Sequence, residues 1–282
     1  MQLIELQPLL DIIKLTLQSA YVKGVAKPIN LLLIAKPESA KTSAMAQFKI
    51  KGTYTTNNIT QAVIVSKILP MIEREGLKHL IIPDFLNAIE KDYTTRKGFL
   101  NMIKSLIEEG ITSLDTFNLR TNRTYDPPIR CGLITGITTE SFYGEEYDEQ
   151  RRVWRGGVRY EWKRTGLLSR FVPFSYKYEL SKINRVFDYI ANADRELELS
   201  GKESIQRRMV WVKGNEEVFN RIRSLSQDIG KSMGGYGFRM QLSLQALMKA
   251  NAVLNKREEV LREDAEKIEK LGNWMNFESN LL

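Results

Sequence analysis

One eight-residue segment, Ala35–Thr42, constrains the fold of this chain more than any other. It follows the apolar run 29–34 and leads into residues 43–48, which are mostly small or apolar. A buried strand, a short loop and a helix beginning with Lys41 and Thr42 form the layout of a phosphate-binding P-loop. The segment therefore predicts an α/β fold with a loop that receives nucleotide phosphates.

Each part of this loop has a predicted chemical role. Lys41 would reach the terminal phosphates, the Thr42 hydroxyl would hold Mg²⁺, and backbone amides would face the anion. The pattern G-x-x-x-x-G-K-[ST] keeps its spacing and its Lys-Thr pair, but Ala35 and Ala40 replace the glycines that permit positive φ. An ordinary strand–turn–helix with one exposed lysine is the alternative. The predicted nucleotide-binding residues in this segment are Ala35, Pro37, Glu38, Ser39, Ala40, Lys41, Thr42 and Ser43.

The composition limits the class of protein. With 282 residues, 43% hydrophobic and 27% charged, we expect one large domain or two packed ones. No apolar run approaches the roughly 18 residues that span a bilayer, and the start lacks signal-peptide features. We therefore expect a cytoplasmic protein without membrane association. The single cysteine, Cys131, and the single histidine, His79, exclude a disulfide framework within the chain and a multi-histidine metal site. A net charge of +8 favours polyanion partners.

Apolar runs and helical patterns alternate along the first part of the chain, which predicts a parallel sheet covered on both faces. The predicted elements are a leading helix within 1–26, a strand or helix start at 62–65, a strand at 79–82, a helix over 96–109, a hairpin at 111–114 and 117–120, and a strand at 131–137. After Tyr178 the patterns become helical. We predict an α/β nucleotide-binding domain over 1–178 and a helical lid domain over 179–282.

Two polar residues follow predicted strands and are candidate catalytic groups. Asp84 comes directly after the strand 79–82, where a P-loop ATPase needs an acid to hold Mg²⁺ and orient the attacking water. A turn residue is the alternative interpretation, and Glu90 or Asp92 is a candidate second acid. Thr138 ends the next strand, where it would lie between the nucleotide and the attacking water.

Two arginines complete a longer pattern. Arg170 follows Leu-Leu-Ser and precedes an apolar strand, and Arg239 opens a helix after a glycine-rich turn. Surface salt bridges and a capped helix start are the respective alternatives. The motifs in this order resemble those of AAA+ ATPases, and segments 167–171 and 237–264 most resemble minichromosome maintenance helicases and MoxR-type ATPases.

This resemblance implies that the cofactors are ATP and Mg²⁺. It also implies that Arg170 reaches the γ-phosphate in a neighbouring subunit and that Arg239 is the nucleotide-contacting sensor 2 residue. The assembly would be a homo-oligomer, a ring or helix, often a hexamer.

Segment 151–164 interleaves arginines with aromatic residues. Alternation around Val158, Tyr160 and Trp162 predicts a β-hairpin with a Gly156-Gly157 turn. Such residues suit phosphate contact with base stacking; an interface hairpin whose arginines meet Glu145 and Glu146 is the alternative. The predicted DNA-binding residues are Arg151, Arg152, Arg155 and Arg159. Lys202, Arg207, Arg208 and Lys213 add positive charge further on, with the aromatic Trp211 among them, or the segment forms a solvated helix face.

The leading functional hypothesis is an AAA+ ATPase that acts on DNA as a motor, helicase or loader in replication or in a mobile-element system. The alternatives are a nucleotide-controlled oligomeric assembly protein with little turnover and a MoxR-like chaperone that remodels proteins.

Overall fold

A computed structural model describes residues 6–116, 121–148, 153–191, 204–277 and 280–281 of the chain. The strands are β1 (Val22–Lys23), β2 (Leu31–Ala35), β3 (Thr53–Thr55), β4 (His79–Ile82), β5 (Ile111–Thr116), β6 (Thr121–Ile129), β7 (Gly132–Thr138), β8 (Gly144–Asp148), β9 (Val153–Gly156), β10 (Val172–Lys177), β11 (Val210–Trp211) and β12 (Asn280–Leu281). The helices are α1 (Gln7–Ser19), α2 (Lys41–Ala46), α3 (Gln61–Val63), α4 (Leu69–Glu75), α5 (Leu86–Ile89), α6 (Tyr93–Ile107), α7 (Thr139–Tyr143), α8 (Arg159–Arg164), α9 (Leu180–Ala191), α10 (Glu216–Arg221), α11 (Arg223–Ser232), α12 (Phe238–Leu254) and α13 (Arg262–Gly272).

The centre of the fold is a parallel sheet in the order β12-β10-β2-β7-β4-β3. Every residue of β2 is buried, as expected for an apolar strand whose two faces are both covered. β2 lies between β10 and β7, so the segment that follows it opens at the middle of the sheet's carboxyl edge. The predicted α/β class, a parallel sheet flanked by helices, is confirmed at this level.

Several local predictions agree with the structure. The predicted strands at 79–82 and 131–137 are β4 and β7, and the leading helix is α1. Segment 61–75 is helical throughout, with a π-helical stretch Ile64–Ile68, because the Thr60 hydroxyl caps its start and Gly76, at φ 70°, ends it. The strand alternative for 62–65 is therefore wrong.

The helix predicted over 96–109 is α6, which begins earlier because the Asp92 side chain accepts from the amide of Thr95. The hairpin predicted after it pairs β5 with β6. Its predicted second strand, 117–120, lies outside the described residues, and the strand that pairs is Thr121–Ile129.

The described part of the chain after Tyr178 is mainly helical, with only β11 and β12 as short strands. Helix α12 is central there: it packs against α11 and α13, and also against α1. Buried residues from both halves of the chain form one hydrophobic cluster. The division into two domains near Tyr178 stays a prediction.

The predicted hairpin with a turn at Gly156-Gly157 is wrong. β9 pairs antiparallel with β8, the strand that precedes it in the chain. Gly156 ends β9, and Gly157 leads on to helix α8. Trp162, on α8, is fully buried with its ring edge-on to Phe85 at 5.3 Å. Burial of this indole stabilises a helix where the alternation of apolar residues favoured a strand.

Candidate functional site

The loop between β2 and α2 has a special backbone. Glu38 and Ala40 both adopt left-handed conformations, with φ of 59° and 63°. Ala40 immediately precedes Lys41, and its carbonyl accepts the amide of Ala44 at 2.8 Å. Alanine therefore adopts the backbone that glycine usually supplies in a phosphate-binding loop, at a steric cost of about 1–2 kcal/mol for an L-residue.

The Lys41 side chain turns back into this loop. Its ammonium donates to the carbonyl oxygens of Ala35 at 2.7 Å and Lys36 at 2.8 Å, and to the Ser39 hydroxyl at 3.1 Å. Only 9% of the residue is exposed. Burial lowers the pKa of the Lys41 ammonium to about 8, while the carboxylates of Glu140 and Asp84 act in the opposite direction. The structure thus contradicts the alternative of an ordinary exposed lysine.

Two tyrosines also hold the loop, Tyr176 on β10 and Tyr178 just after it. The Tyr176 hydroxyl donates to the Ser39 carbonyl at 2.8 Å, and the Tyr178 hydroxyl donates to the same oxygen at 3.3 Å. Burial raises the pKa of both phenols, that of Tyr178 to about 12. Sequence reasoning missed these two residues, whose only signal was their place at the end of a strand parallel to β2.

Thr42 and Ser43 form the first turn of α2, and Thr42 is exposed, as are Pro37 and Glu38 in the loop. The loop and the start of the helix therefore present hydroxyls and backbone amides at the carboxyl edge of the sheet. A helix start offers amide donors to an anion. These residues therefore lie together at one edge of the sheet.

Asp84 lies beyond the end of β4 and is exposed. Its carboxylate accepts from the Leu86 amide at 3.1 Å and from the Asn87 side-chain amide at 3.0 Å. These bonds stabilise the turn that leads into the short helix α5, as the turn-residue interpretation expects. The same carboxylate is near enough to Lys41 to raise its pKa. Asp84 thus stabilises the turn and also acts on the loop lysine.

Thr138 is the register partner of Ala35, so it lies beside the start of the loop. Its hydroxyl accepts from the Ser141 amide at 3.2 Å and donates to the Ser141 hydroxyl at 2.8 Å, which caps helix α7. Thr138 therefore ends the strand next to β2, and its described hydrogen bonds orient the first turn of α7.

Glu140, in that first turn, is a candidate site residue that sequence reasoning missed. Among the described residues, its Oε2 atom is buried and has no hydrogen-bond partner. Glu140 also opposes the lowering of the Lys41 pKa more strongly than Asp84 does. Its signal was an acid placed two residues after Thr138, at the end of a strand next to β2.

The donor set fits Mg²⁺ bound together with phosphates. Mg²⁺ takes oxygen ligands and is usually held by one or two carboxylates, waters and substrate phosphates. Thr42, Asp84 and the unpartnered Oε2 atom of Glu140 supply such oxygens at this edge. The described residues contain no group of three or more His, Cys, Asp or Glu side chains that could hold a metal by themselves. A metal ion at this site would accordingly need oxygen ligands from bound phosphates as well.

Arg170 lies at the opposite end of the sheet from the loop. It precedes β10, which runs parallel to β2, so the length of β2, about 16 Å for five residues, separates it from Lys41. Its guanidinium donates to the Gly166 carbonyl at 2.6 Å and pairs with Glu109 at 3.2 Å, and only 13% of the side chain is exposed. Arg170 does not meet the loop of its own chain.

Arg239 lies beside Arg170. Its guanidinium donates to the Ser169 hydroxyl at 3.1 Å and pairs with Glu108 at 3.3 Å. This position is the amino end of the sheet, so the structure does not bring Arg239 to the loop residues with which the resemblance groups it. The sequence spacing predicted the helix start correctly, since α12 begins at Phe238.

The proposed DNA-binding arginines are placed differently from one another. Arg151 and Arg152 lie outside the described residues. Arg155 is on β9, opposite Glu146 in the register. Arg159 begins helix α8, where its guanidinium packs over the rings of Tyr143 at 5.3 Å and Phe277 at 5.4 Å. Arg159 and Arg155 therefore do not share a single hairpin.

His79 and Cys131 have structural positions. His79 is buried and its Nε2 lies 3.2 Å from the Ile29 carbonyl oxygen; burial lowers its pKa to about 4. Burial likewise raises the pKa of the Cys131 thiol to about 12. A neutral imidazole and a protonated thiol suit packing near the sheet.

No family model matches this chain, and no curated protein matches its sequence. In the described ranges, no helix combines the length and the apolar character needed to cross a bilayer.

Proposed function

We propose that this chain is a P-loop ATPase of the AAA+ type, which binds Mg·ATP at Ala35–Ser43. One observation carries the proposal: the Lys41 side chain is buried in the loop between β2 and α2. Asp84, Thr138 and Glu140 lie at the same edge of the sheet. Ligands of α/β sheets bind outside the carboxyl ends of the strands. The three described contacts of the Lys41 ammonium are to neutral oxygens, and an anionic phosphate would be a stronger acceptor once those contacts open.

Each residue at this edge has a role in the proposal. Lys41 contacts the terminal phosphates, and amides of the loop and of α2 face them. Thr42 and Asp84 would hold Mg²⁺, which neutralises charge on the transferring phosphoryl group. Glu140, or Asp84 where it does not hold the metal, would take the proton of the attacking water as the water oxygen bonds to the γ-phosphorus, the bond to the β–γ bridging oxygen breaks and ADP leaves. Thr138 ends the strand next to β2, beside the start of the loop.

The proposed ATPase acts as a homo-oligomer in which copies share sites. Arg170 and Arg239 lie at the end of the sheet away from their own loop, so a phosphate they contact would belong to another copy. Exposed apolar side chains lie next to Arg239: Tyr236 and Phe238 stack at 5.6 Å, and Leu242 follows one turn on. Such a patch favours a protein contact. A ring, often a hexamer, or a helical assembly follows from the resemblance.

DNA is the proposed target, as for a motor, helicase or loader in replication or a mobile-element system. The net charge of +8 supports a polyanion partner. A nucleotide-controlled assembly protein with little turnover is the second candidate. It is favoured by the bonds of Arg170 to Gly166 and Glu109, which would have to break before Arg170 could reach another copy. A MoxR-like remodelling chaperone is the third.

The test is calorimetric titration with a non-hydrolysable ATP analogue and Mg²⁺. Lys41→Ala should weaken binding by about tenfold or more, because a charge-assisted contact is lost. Lys36→Ala is the matched control, since this exposed lysine meets Lys41 through its backbone carbonyl, which the substitution keeps. Equal affinities for wild type and Lys41→Ala would refute the nucleotide site. Measurable binding with negligible turnover, with or without DNA, would favour the assembly protein.

A further inference from the structure

A second surface, far along the chain from the loop, is built by segment 206–213. The side chain of Gln18, which is fully buried, bonds both ways to the backbone of Gln206, donating to its carbonyl at 2.9 Å and accepting its amide at 2.8 Å. β11 then pairs in parallel with β1, and the Lys213 backbone bonds to Glu258 and Val260. Three separate attachments therefore hold this segment against α1, β1 and the loop that follows α12.

The segment forms one wall of an open groove of about 1070 Å³. Five cationic side chains line this groove, against two acids. Two of the cations are already paired, since Lys213 lies 3.6 Å from Glu259 and Arg257 bonds Asp264 at 2.8 Å. The remaining cations, which have no ion pair within the part of the chain that the structure describes, are Lys23, Arg208 and Lys256.

Trp211 lines the same groove and is 64% exposed. Lys23 is its register partner on β1. One part of the indole ring covers Gly24, where an added Cβ would lie 3.1 Å from the ring. Gly24 thus packs against one part of the ring, and most of the side chain stays exposed. An indole fixed in this way offers a flat face for stacking, at little cost in side-chain entropy.

Lys256 contributes a further observation. It adopts a left-handed conformation with φ of 58° just after α12, at a position where glycine is usual. The Lys256 and Arg257 amides bond the carbonyls of Val253 and Ala252 at 2.9 and 2.8 Å. The left-handed backbone at Lys256 costs about 1–2 kcal/mol for an L-residue. These bonds nevertheless hold it, and the Lys256 side chain lines the groove.

We propose that this groove binds single-stranded nucleic acid, with Trp211 stacking on a base and Lys23, Arg208 and Lys256 contacting phosphates. Proteins that bind single strands combine a cationic groove with an aromatic stacking face. A strand supplies both a polyanion and an unpaired π-face, whereas an acidic polypeptide supplies the charge without a regular stacking partner. The inference rests on the proposed function for its DNA partner and assigns that partner a surface outside segment 151–164.

The experiment is fluorescence anisotropy with a labelled oligothymidylate of about 20 nucleotides, titrated at several salt concentrations. Trp211→Ala should weaken binding by about fivefold or more, and Trp211→Tyr should retain most of it. The combined variant Lys23→Ala, Arg208→Ala, Lys256→Ala should lower the slope of log affinity against log salt by about 2, at about 0.7 per phosphate contact. Its matched control is Lys49→Ala, Lys51→Ala, Arg74→Ala, which removes three exposed cations elsewhere.

Three outcomes would overturn the proposal. The groove variants could bind like wild type, the control could lose as much affinity as the groove variant, or polyglutamate could bind where the oligonucleotide does not. The last result would identify an acidic protein segment as the occupant. Titration of the same proteins with the ATP analogue separates the two proposals. Binding of the oligonucleotide without binding of ATP would refute the nucleotide site alone. Binding of ATP without binding of the oligonucleotide would refute the groove alone.

Discussion

The Tyr176 hydroxyl donates to the Ser39 carbonyl at 2.8 Å, and so links the end of β10 to the loop that holds Lys41. Tyr176 is fully buried, which means that water cannot replace this bond if it is lost. The conformation of the loop thus depends on a strand far from it in sequence.

Tyr176→Phe removes this hydroxyl with little change in volume. We expect the free energy of unfolding to fall by about 1 kcal/mol and the affinity for the ATP analogue to fall by about threefold to tenfold, because the loop becomes less ordered. Chemical denaturation and calorimetry would measure the two effects. Tyr160→Phe is the control, since Tyr160 is 71% exposed. Unchanged affinity in Tyr176→Phe would show that the link has no bearing on the loop.

Ala40→Gly should stabilise the protein by about 0.5–1 kcal/mol. An L-residue in the left-handed region costs about 1–2 kcal/mol, and the entropy of glycine offsets part of the gain. Ala46→Gly makes the same change within α2 and should instead cost up to about 1 kcal/mol. Urea denaturation compares the two variants. Destabilisation by both would contradict the left-handed backbone at Ala40.

The affinity for ATP should depend on pH through Lys41. The pKa of about 8 for Lys41 lies below the ordinary value, and a bound phosphate favours the charged ammonium and raises that pKa. Binding therefore takes up a proton above about pH 8, and affinity should fall by up to about tenfold per pH unit up to about pH 10. Calorimetry in buffers of different ionisation enthalpy measures the uptake.

Lys41→Met serves as the control for that titration, because its residual ATP binding should no longer depend on pH in this range.

The lowered pKa of Lys41 also makes the free energy of unfolding depend on pH, in the direction opposite to the ATP affinity. Between about pH 8 and 10.5 the unfolded chain holds a proton at Lys41 that the folded chain has released, so this group makes the free energy of unfolding rise with pH. Parallel pH profiles for wild type and Lys41→Met would contradict the shift.

Two acids compete for the role of base, and single substitutions separate them. Replacing the acid that orients the attacking water with its amide should lower turnover by about 100-fold or more, while ATP still binds. We expect this of Glu140→Gln or Asp84→Asn, and Glu75→Gln is an exposed control. A coupled ATPase assay measures turnover. Normal rates in both variants would leave Asp84 as a turn residue and Glu140 without a catalytic role.

Arg170 should act on a neighbouring copy. Mixing Arg170→Ala subunits into wild type should lower ATPase activity more than dilution explains, because each variant subunit impairs the site of its neighbour. Glu109→Gln is the matched comparison: it removes the ion pair of Arg170 and keeps the guanidinium, so activity should persist. Strictly proportional loss on mixing, or full activity in a monomer, would refute action in trans.

Local signals in the sequence predicted much of this fold. The apolar run before Ala35 and the Lys41-Thr42 pair correctly predicted a strand, a loop and a helix start, and the runs at 79–82 and 131–137 correctly predicted two further strands. These features depend on residues close together in the chain: a buried strand requires a continuous apolar run, and a helix start requires its capping residues.

Other features arise from contacts between distant segments. Ser39 and Tyr176 are 137 residues apart, and their bond exists because β10 lies beside β2 in the sheet. The parallel order of strands likewise puts Arg170 and Arg239 at the amino end, away from Lys41. Trp162 belongs to a helix because Phe85 and its neighbours bury it, although its local alternation favoured a strand. Strand order and burial depend on packing energy summed over the whole chain, and a pattern within a few residues does not contain that information.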